Sequence, residues 1–539
     1  MSDRAYLASL VVEGIQKYIF DTHKLKEMIG GSAIVNYIGA PEFYLPILAE
    51  LGLAPDAAIS PADNKAIVVQ ANAGMLVLIV FGRELAENFL LQASRELLAR
   101  FPGLPFYTAI TEFAWSDSAE GSDAFRQARD ESIKKINAQR NENPVPCGSP
   151  LLPILRVARL DGLPAAGRDS ELHSLPSGAK RDREMLDFSR EQLRKIIRAP
   201  DGVSLIWEED LQKMLPEDES KVALICMDGN DLGILFGRLF GSGPAEKSSL
   251  PLAESLARQK EMSENIRECS REAFNYACQK IIGFEMDLHA RENPGKTLTS
   301  LVMPLRPLVI GGDDITLIAR ADIALPFVKW FNEKFVEKGQ QYNLSLGIGM
   351  VVMPASYPFA KAFPLAETLQ SSAKKLTRHL LGPGQRPSSL DYLVLTEDVE
   401  NDMQAVRQRL FKSSTGYLLT SKPFELHDGS LEKMVETGFR VLTELPRSQI
   451  REAWTECRKG PRETEGLWRN LCENIARGLG GRNEKLMDLE KFREIFPADF
   501  FIGDGTQEPR TALGDYLELE HLLPKKQYAR ELLLPLIRN

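Results

Sequence analysis

Two adjacent carboxylates, Asp313 and Asp314, follow two glycines in the segment LVIGGDDITLIA. The apolar runs on both sides predict a β-hairpin with these acids at its tip. Unpaired carboxylates beside apolar strands cost free energy, and Mg²⁺ and Mn²⁺ prefer hard oxygen ligands. The segment therefore predicts a divalent metal site, in which Gly311 and Gly312 allow a tight turn and leave room for a substrate. The alternative is a plain turn, for which Gly and Asp are favoured residues.

A second acidic segment, MDGNDLG, follows the apolar run KVALIC. The run predicts a buried strand, and Asp228 falls at its C-terminal end, the edge where open α/β sheets bind ligands. Asp231 lies close to the start of the next helix, where backbone N–H groups can hold phosphate; a helix cap is an equally good interpretation. Asp228 would face the hairpin from the neighbouring strand, which favours a functional role for it.

Together these acids predict two-metal nucleotidyl transfer. Two metals about 4 Å apart need several shared carboxylates, which Asp228, Asp313 and Asp314 would supply. One metal would lower the pKa of an attacking hydroxyl, and the other would neutralise a triphosphate and its leaving pyrophosphate, so no Ser–His–Asp set is required. Lys374 and Lys375 lie on a predicted helix, off its apolar face and within reach of a triphosphate; two solvated lysines are the alternative.

Two similar halves would position these residues. Near residue 5, and again near 221, an apolar strand leads into a helical stretch, a pair of apolar runs, a helix and another strand. This βαββαβ plan is the ferredoxin-like arrangement of polymerase and cyclase palms. We therefore predict an α+β fold. Its domains are a degenerate first palm (1–115), a connecting insert rich in turn residues (116–215), a second palm (216–398) and a helical domain (399–539), with amphipathic stretches near 429–444, 448–458, 465–478 and 526–537.

Composition restricts the class of protein. The chain of 539 residues has a formal net charge of −9, which argues against a general nucleic-acid coat but permits local basic patches. No apolar run approaches the roughly 18 residues that span a bilayer, and the N-terminus lacks the apolar core of a signal peptide. The six cysteines form no C-x-x-C pair, so we expect free thiols in a reducing cytoplasm.

Several segments resemble one family, the large signature subunit of type III CRISPR effector complexes. Its second palm is similar to DGNDLG, GGDD and the stretch from SLGIGMVV to SSLDYLVL. Its first palm is similar to VVEGIQKYIF followed by IGGS, and its C-terminal domain to LEKMVETGFRVLTELPRSQI. The resemblance covers nearly the whole chain and extends more distantly to GGDEF-type cyclases.

The resemblance implies synthesis of cyclic oligoadenylate second messengers from ATP in antiviral defence, normally triggered by target RNA. A 3′-hydroxyl would attack an α-phosphate and release pyrophosphate, with Mg²⁺ or Mn²⁺ as cofactor. The family implies Asp228, Asp313 and Asp314 as metal ligands and Lys374 as a phosphate contact. The other candidate nucleotide-binding residues are Gly229, Asn230, Asp231, Gly311 and Gly312 in the second palm, and Gly30, Gly31 and Ser32 in the first.

Three departures from the family pattern modify this expectation. No HD nuclease domain precedes the first palm, and the only His-Asp dipeptide, His427-Asp428, suits a turn and helix cap, so we expect a compact variant without DNase activity. Only Cys147 stands where the family has zinc-binding cysteines, so no zinc is predicted. The first-palm hairpin reads QANAGM: residues 72–74 stand where acids would be needed, which leaves Glu13 alone. This palm should therefore bind or scaffold rather than catalyse.

Two other functions fit the same residues. A cyclase that makes a cyclic mono- or dinucleotide in a stand-alone defence system would use the same palm chemistry. A mainly structural subunit would hold RNA and partner proteins through basic clusters, although a solvated surface is the more common role of such clusters. The expected partners are ATP and either RNA with other effector-complex subunits or a second copy of the chain. The candidate clusters are Lys180, Arg181 and Arg183, and Lys525 and Lys526.

Overall fold

The computed structural model has the predicted α+β fold. No helix among the described residues has the length and apolar character needed to cross a membrane. The predicted helix at 465–478 and most of that at 448–458 lie outside those residues, as do Cys147, Cys457 and Cys472. The structure describes residues 4–55, 59, 65–142, 156–159, 161–166, 172–217, 219–237, 239, 250–378, 386–395, 403–414, 416, 418–444, 450–451, 454–455, 458–459 and 512–538.

The first palm contains a five-stranded sheet of order β2-β3-β4-β1-β5. Strand β1 pairs antiparallel with both β4 and β5, which gives the strand arrangement of a ferredoxin-like fold. Its strands are β1 (Arg4–Val12), β2 (Ala54–Pro55), β3 (Lys65–Asn72), β4 (Met75–Val80) and β5 (Phe106–Ala114), and its helices are α1 (Ile15–Phe20), α2 (Leu25–Ile38), α3 (Pro41–Glu50) and α4 (Arg83–Arg100).

Helices dominate the segment that connects the palms. They are α5 (Ala119–Glu142), α6 (Leu175–Lys180), α7 (Arg183–Ile196) and α8 (Leu211–Met214), with one short strand, β6 (Ser204–Ile206). Phe125 and Ala128 on α5 pack with Ala5 and Leu7 of β1, so this helix covers one face of the first sheet. The boundary at 115 that separates α5 from the first palm stays a prediction.

The second palm contains a six-stranded sheet of order β13-β12-β11-β7-β10-β9. Four of its strands, in the order β11-β7-β10-β9, repeat the arrangement β5-β1-β4-β3 of the first sheet. The elements are β7 (Lys221–Gly229), α9 (Leu232–Gly237), α10 (Leu252–Glu292), β8 (Ser300–Val302), β9 (Leu305–Ile310), β10 (Ile315–Arg320), α11 (Ala321–Lys338), a 3₁₀ turn (Gln340–Tyr342), β11 (Leu346–Pro354), α12 (Phe359–Arg378) and β12 (Ser389–Val394).

The described part of the C-terminal region is mainly helical. It contains α13 (Met403–Phe411), β13 (Phe424–Glu425), α14 (Ser430–Glu444), α15 (Leu513–Leu519) and α16 (Gln527–Arg538). It is joined to the second sheet by a buried contact in which the backbone N–H of Val394 donates to Glu518 Oε1 at 3.0 Å.

Alternation along β7 explains how the palms pack together. Successive side chains of a strand point to opposite faces. Ile225 and its neighbours on one face pack against α10 and α11, whereas Leu224 and Cys226 on the other face pack in a cluster with Met28 and Ile29 of α2. The opposite side of α2 packs on the first sheet through residues such as Ile34. Helix α2 therefore lies between the two sheets.

Candidate active site at the palm interface

The Gly-Gly-Asp-Asp segment forms the predicted turn between β9 and β10. Ile310 pairs with Ile315, and the N–H of Gly311 donates to the carbonyl of Asp314 at 2.8 Å. Neither glycine has a positive φ. A Cβ atom at Gly311 would lie 3.0 Å from the carbonyl oxygen of Asp314, whereas one at Gly312 would meet its nearest neighbour only at 3.7 Å. Close approach, rather than a left-handed backbone, therefore explains the first glycine.

Three carboxylates converge at this turn. Met227 pairs with Ile315, so Asp228 lies beside the hairpin tip at the end of β7. A Cβ atom at Gly229 would lie 3.0 Å from the Cβ of Asp313, which shows how closely the two segments approach. The structure thus brings Asp228, Asp313 and Asp314 together. Their role as metal ligands stays a prediction.

The electrostatics of the three acids show an excess of negative charge. Burial, followed by the charge of Asp228, raises the pKa of Asp313 to about 6. Burial, followed by the charges of Asp228 and Asp313, raises the pKa of Asp314 to about 7. Each shift means that the ionised form is disfavoured where it stands. A bound cation would remove this penalty.

Lys374 on α12 is the ammonium group at this site. Its Nζ contacts Asp228 Oδ2 and lies 3.1 Å from the carbonyl oxygen of Gly229. A Cβ atom at Gly347 of β11 would lie 2.2 Å from the Cγ of Lys374, so the lysine reaches Asp228 by crossing this glycine. Gly347 was not predicted from sequence to matter for the site. Lys375 is exposed, as expected of a solvated lysine.

The donor chemistry of the site fits a divalent cation. Among the described residues, no three or more His, Cys, Asp and Glu side chains are already arranged to hold a metal. The ammonium of Lys374 contacts one carboxylate oxygen of Asp228, an atom that a metal could also use. The three carboxylates offer hard oxygen donors, which suit Mg²⁺ or Mn²⁺.

The residues after Asp228 are held by the protein itself. Asn230 donates from Nδ2 to Ser345 Oγ at 2.9 Å. Asp231 has a φ of 59°, and its carboxylate pairs with Arg386 at 2.8 Å. Helix α9 after it has only six residues. Nucleotide binding by Gly229, Asn230 and Asp231 stays a prediction.

The first-palm segment Gly30–Ser32 lies on α2 and is buried. A Cβ atom at Gly30 would lie 1.6 Å from the carbonyl oxygen of Lys180, and one at Gly31 would meet the side chain of Lys180 at 3.7 Å. Close packing of α6 therefore accounts for Gly30, whereas a Cβ atom at Gly31 would make only ordinary contacts. Nucleotide binding by Gly30 and Gly31 stays a prediction. Ser32 differs, because its hydroxyl donates to the carbonyl of Leu308 on β9 and it lines the cavity between the palms.

A cavity of about 550 Å³ lies between the palms, a volume typical of small-molecule sites. The cations on its wall were not predicted from sequence, because α7 and α10 bring them from distant parts of the chain. A larger cavity of about 910 Å³ beside α7 and β6 contains no hairpin residue. The wall of the palm cavity includes Ser32 and Asn36 of α2, Asn72 and Ala73 of the first hairpin, Ser189, Gln192 and Lys195 of α7, Arg267 and Arg271 of α10, and Gly311 to Asp314.

Helix α10 contacts both hairpin tips. Arg267 Nη2 donates to Asn72 Oδ1 of the first hairpin at 2.9 Å. One turn later, the Ser270 hydroxyl donates to the carbonyl of Gly312 in the second hairpin. The first hairpin carries no acid, and the carboxylate of Glu13 is paired with Arg140 of α5.

The basic clusters considered as RNA contacts are engaged within the chain. The expectation of a solvated surface is wrong for Lys180, which is buried and donates to the carbonyl of Tyr18. Arg181 pairs with Glu27 at 2.7 Å. The three remaining ion pairs are Arg183 with Asp187 at 4.0 Å, Lys525 with Glu219 at 3.9 Å and Lys526 with Glu292 at 2.7 Å.

The structure also tests the predictions for the His-Asp dipeptide and for the cysteines. Asp428 Oδ1 accepts from the N–H of Ser430 at 2.8 Å where α14 begins, which confirms the cap at the His-Asp dipeptide. The three cysteines within the described residues, Cys226, Cys269 and Cys278, are free and buried.

Residues 221–381, less than a third of the chain, match the family model described as Cas10/Cmr2, second palm domain. No curated protein matches the chain in sequence. Among solved structures, the Csm1-Csm4 cassette in complex with cA4 aligns at 15% identity and a TM-score of 0.48, covering 99% of this chain and 70% of that one. The cassette in complex with cA3 aligns at 14% and 0.48, covering 99% and 69%. Csm1 in T.onnurineus aligns at 15% and 0.47, covering 99% and 69%. The family match confirms the predicted resemblance: the second palm is Cas10-like.

Proposed function

We propose that this Cas10-like protein is a nucleotidyltransferase that makes cyclic oligoadenylates from ATP in type III CRISPR defence. One observation carries the proposal: Asp313 and Asp314 line a cavity of about 550 Å³ between the two palms, and Asp228, which contacts Lys374, lies beside them at the end of β7. The Cas10/Cmr2 match of the second palm agrees with this chemistry. The solved structures with cA3 and cA4 give the proposal its product class.

The three carboxylates would hold the metal that the reaction needs. Asp313 and Asp314 line the cavity, and Asp228 lies beside them at the end of β7. A bound Mg²⁺ or Mn²⁺ would activate the 3′-hydroxyl and neutralise charge on the phosphates. The 3′-oxygen of one ATP bonds to the α-phosphorus of the other, the bond to the β-phosphate breaks, pyrophosphate leaves, and the hydroxyl proton passes to water. The last such step joins the two ends of one chain into a ring.

Cations of the cavity would bind the triphosphates. Lys374 is paired with Asp228 here, and a cation at the carboxylates would release its ammonium for a phosphate. Arg267 and Arg271 of α10 also line the cavity. Positive charges held in place by helices and strands need little reorganisation when negative charge develops on leaving pyrophosphate.

The two palms would have unequal roles in this reaction. The second palm supplies the carboxylates, whereas the first palm supplies Ser32, Asn36 and the acid-free hairpin at Asn72. We propose that the first palm holds the second ATP for attack. The protein would act with partner subunits of an effector complex and an activating RNA, as the Csm1-Csm4 cassettes suggest for the partner subunit.

The decisive experiment incubates the purified protein with ATP and Mg²⁺ or Mn²⁺, with and without candidate RNA, and identifies the products by mass. We expect cyclic oligoadenylates from the wild type and none from Asp313→Ala/Asp314→Ala. The matched control, Asp201→Ala/Asp287→Ala, removes two exposed acids elsewhere and should retain the products. Equal product profiles from the wild type and the hairpin variant would refute the proposal. Parallel incubations with the other NTPs, and the ring size found, separate this proposal from a mono- or dinucleotide cyclase.

A further inference from the structure

A second cavity adjoins the one between the palms. It has a volume of about 530 Å³ and lies between α7 and the C-terminal half of α10. The two cavities share four lining residues, so the second cavity lies directly beside the one that contains the hairpin acids. The shared residues are Gln192, Lys195, Ile196 and Arg271. We call the second cavity the outer groove.

The outer groove has a surplus of positive charge. Lys195 and Arg198 are exposed, and within the described part of the chain neither side chain forms an ion pair. The two acids of the groove are already balanced: Glu272 pairs with Lys338 at 2.6 Å, and Glu268 lies 3.9 Å from Arg271. In a chain with a formal net charge of −9, two such free cations facing one groove favour an anionic ligand.

The position and size of the outer groove indicate which anion. The inner cavity, at about 550 Å³, is of the size of a small-molecule site, so a chain of three or more nucleotides must extend beyond it. The outer groove continues from it past Lys195 and Arg271. At about 530 Å³ it suits a further short stretch of single strand rather than a duplex.

We propose that the outer groove binds the phosphates of the linear oligoadenylate intermediate beyond its first two units. This inference rests on the proposed function. Arg198 and Lys195 hold the growing chain while the ends remaining in the inner cavity react. The groove thereby favours elongation over release of the dinucleotide.

The test measures the affinity of the full-length protein for two linear ligands, the 5′-triphosphorylated di- and tetra-adenylates, by isothermal titration calorimetry at low ionic strength. The wild type should bind the tetra-adenylate more tightly. Arg198→Glu, a residue of the outer groove alone, should reduce that preference about tenfold, since it replaces a charge-assisted contact with repulsion. The control, Arg194→Glu, makes the same charge change on an exposed residue of α7 that lines the separate 910 Å³ cavity. It should keep the wild-type preference.

Each outcome decides a different question. Two results would contradict binding of the intermediate at the outer groove without affecting the proposed function. One is equal affinity of the wild type for both ligands, and the other is a loss of preference in Arg194→Glu as large as that in Arg198→Glu. If Arg198→Glu weakens binding of an unrelated single-stranded RNA but keeps the length preference, the groove is an RNA site and the inference is wrong. Failure of the wild type to bind even the di-adenylate argues against the proposed function itself.

Discussion

The two palms share one strand arrangement but differ in the length of one turn. In the first palm Asn72 pairs with Met75, so the hairpin turn consists of residues 73 and 74. In the second palm Ile310 pairs with Ile315, and the turn is Gly311–Asp314. Met75 pairs with Val11 as Ile315 pairs with Met227, so Ala73 and Gly74 stand at the positions of Asp313 and Asp314, and the longer turn adds Gly311 and Gly312. The first palm therefore has alanine and glycine at these two positions, and its turn is shorter by two residues.

The strands beside the turns differ as well. Val11 pairs with Met75, just as Met227 pairs with Ile315, so the register places Val12 rather than Glu13 at the position of Asp228. In each palm a cation comes from the helix that follows the last strand of the shared four-strand arrangement. This helix is α5 after β5 in the first palm and α12 after β11 in the second. The first palm balances one acid, Glu13, with Arg140 of α5, whereas the second sets Lys374 of α12 against three acids. Turn length and charge surplus, rather than fold, separate the two palms.

The difference between the palms is tested most directly by replacing one carboxylate in each palm with an uncharged amide. Asp228→Asn should lower the rate of pyrophosphate release from ATP by on the order of 10²–10³-fold, the size of effect seen when a group that stabilises transition-state charge is lost. Glu13→Gln should change it less than about twofold, since its carboxylate is already neutralised by Arg140. Comparable losses in both variants would mean that the first palm also catalyses.

The helix cations offer a second matched pair. Lys374→Met should lower kcat/KM for ATP by about tenfold, because the second palm loses its ammonium contact to phosphate. It should also raise the pKa of Asp313 and Asp314 further, since Lys374 lowers both. Arg140→Met should leave kcat/KM within about twofold of wild type, as expected for a partly exposed ion pair. A larger effect from Arg140→Met would contradict the asymmetry.

Metal affinity should depend on pH in the second palm alone. A protonated carboxyl cannot act as a ligand, and the pKa values of Asp313 and Asp314 are raised to about 6 and about 7. Mn²⁺ affinity, measured by titration calorimetry, should therefore rise by about tenfold per pH unit for each displaced proton as pH increases towards 7, and level off above it. Asp314→Asn should remove the upper part of this dependence. A pH-independent affinity between 5.5 and 7.5 would contradict the raised values.

The smallest expected effect is on stability without metal. A carboxyl whose folded-state pKa is raised stabilises the fold below its ordinary pKa and loses that contribution as pH rises towards the folded value, here about 7. Asp314→Asn should therefore raise the melting temperature of the metal-free protein at pH 8 by a few degrees, and the gain should shrink below pH 6. Glu13→Gln, at a balanced ion pair, should show no such gain. Equal gains for Asp314→Asn at pH 5 and pH 8 would contradict this assignment.

The sequence predicted those features that depend on local pattern. Alternating and continuous apolar runs located the two palms, and the apolar flanks of Gly311–Asp314 located the hairpin. It did not predict contacts made between distant segments. Nothing near Gly347 indicates that Lys374 crosses it to reach Asp228, and nothing in the pattern of α10 indicates that Arg267 faces the first hairpin. Such contacts depend on how helices pack, which sequence periodicity does not encode.

The paired contacts of α10 constrain how the two halves of this protein can diverge. Arg267 and Ser270 lie within one turn of the same helix, yet each fixes a different hairpin, at Asn72 and at Gly312. A helix rises 1.5 Å and turns about 100° per residue, so inserting one residue between these two side chains would swing one of them away from its hairpin. The relative position of the two hairpin tips therefore depends on one turn of α10, and a change of length within that turn would alter both palms at once.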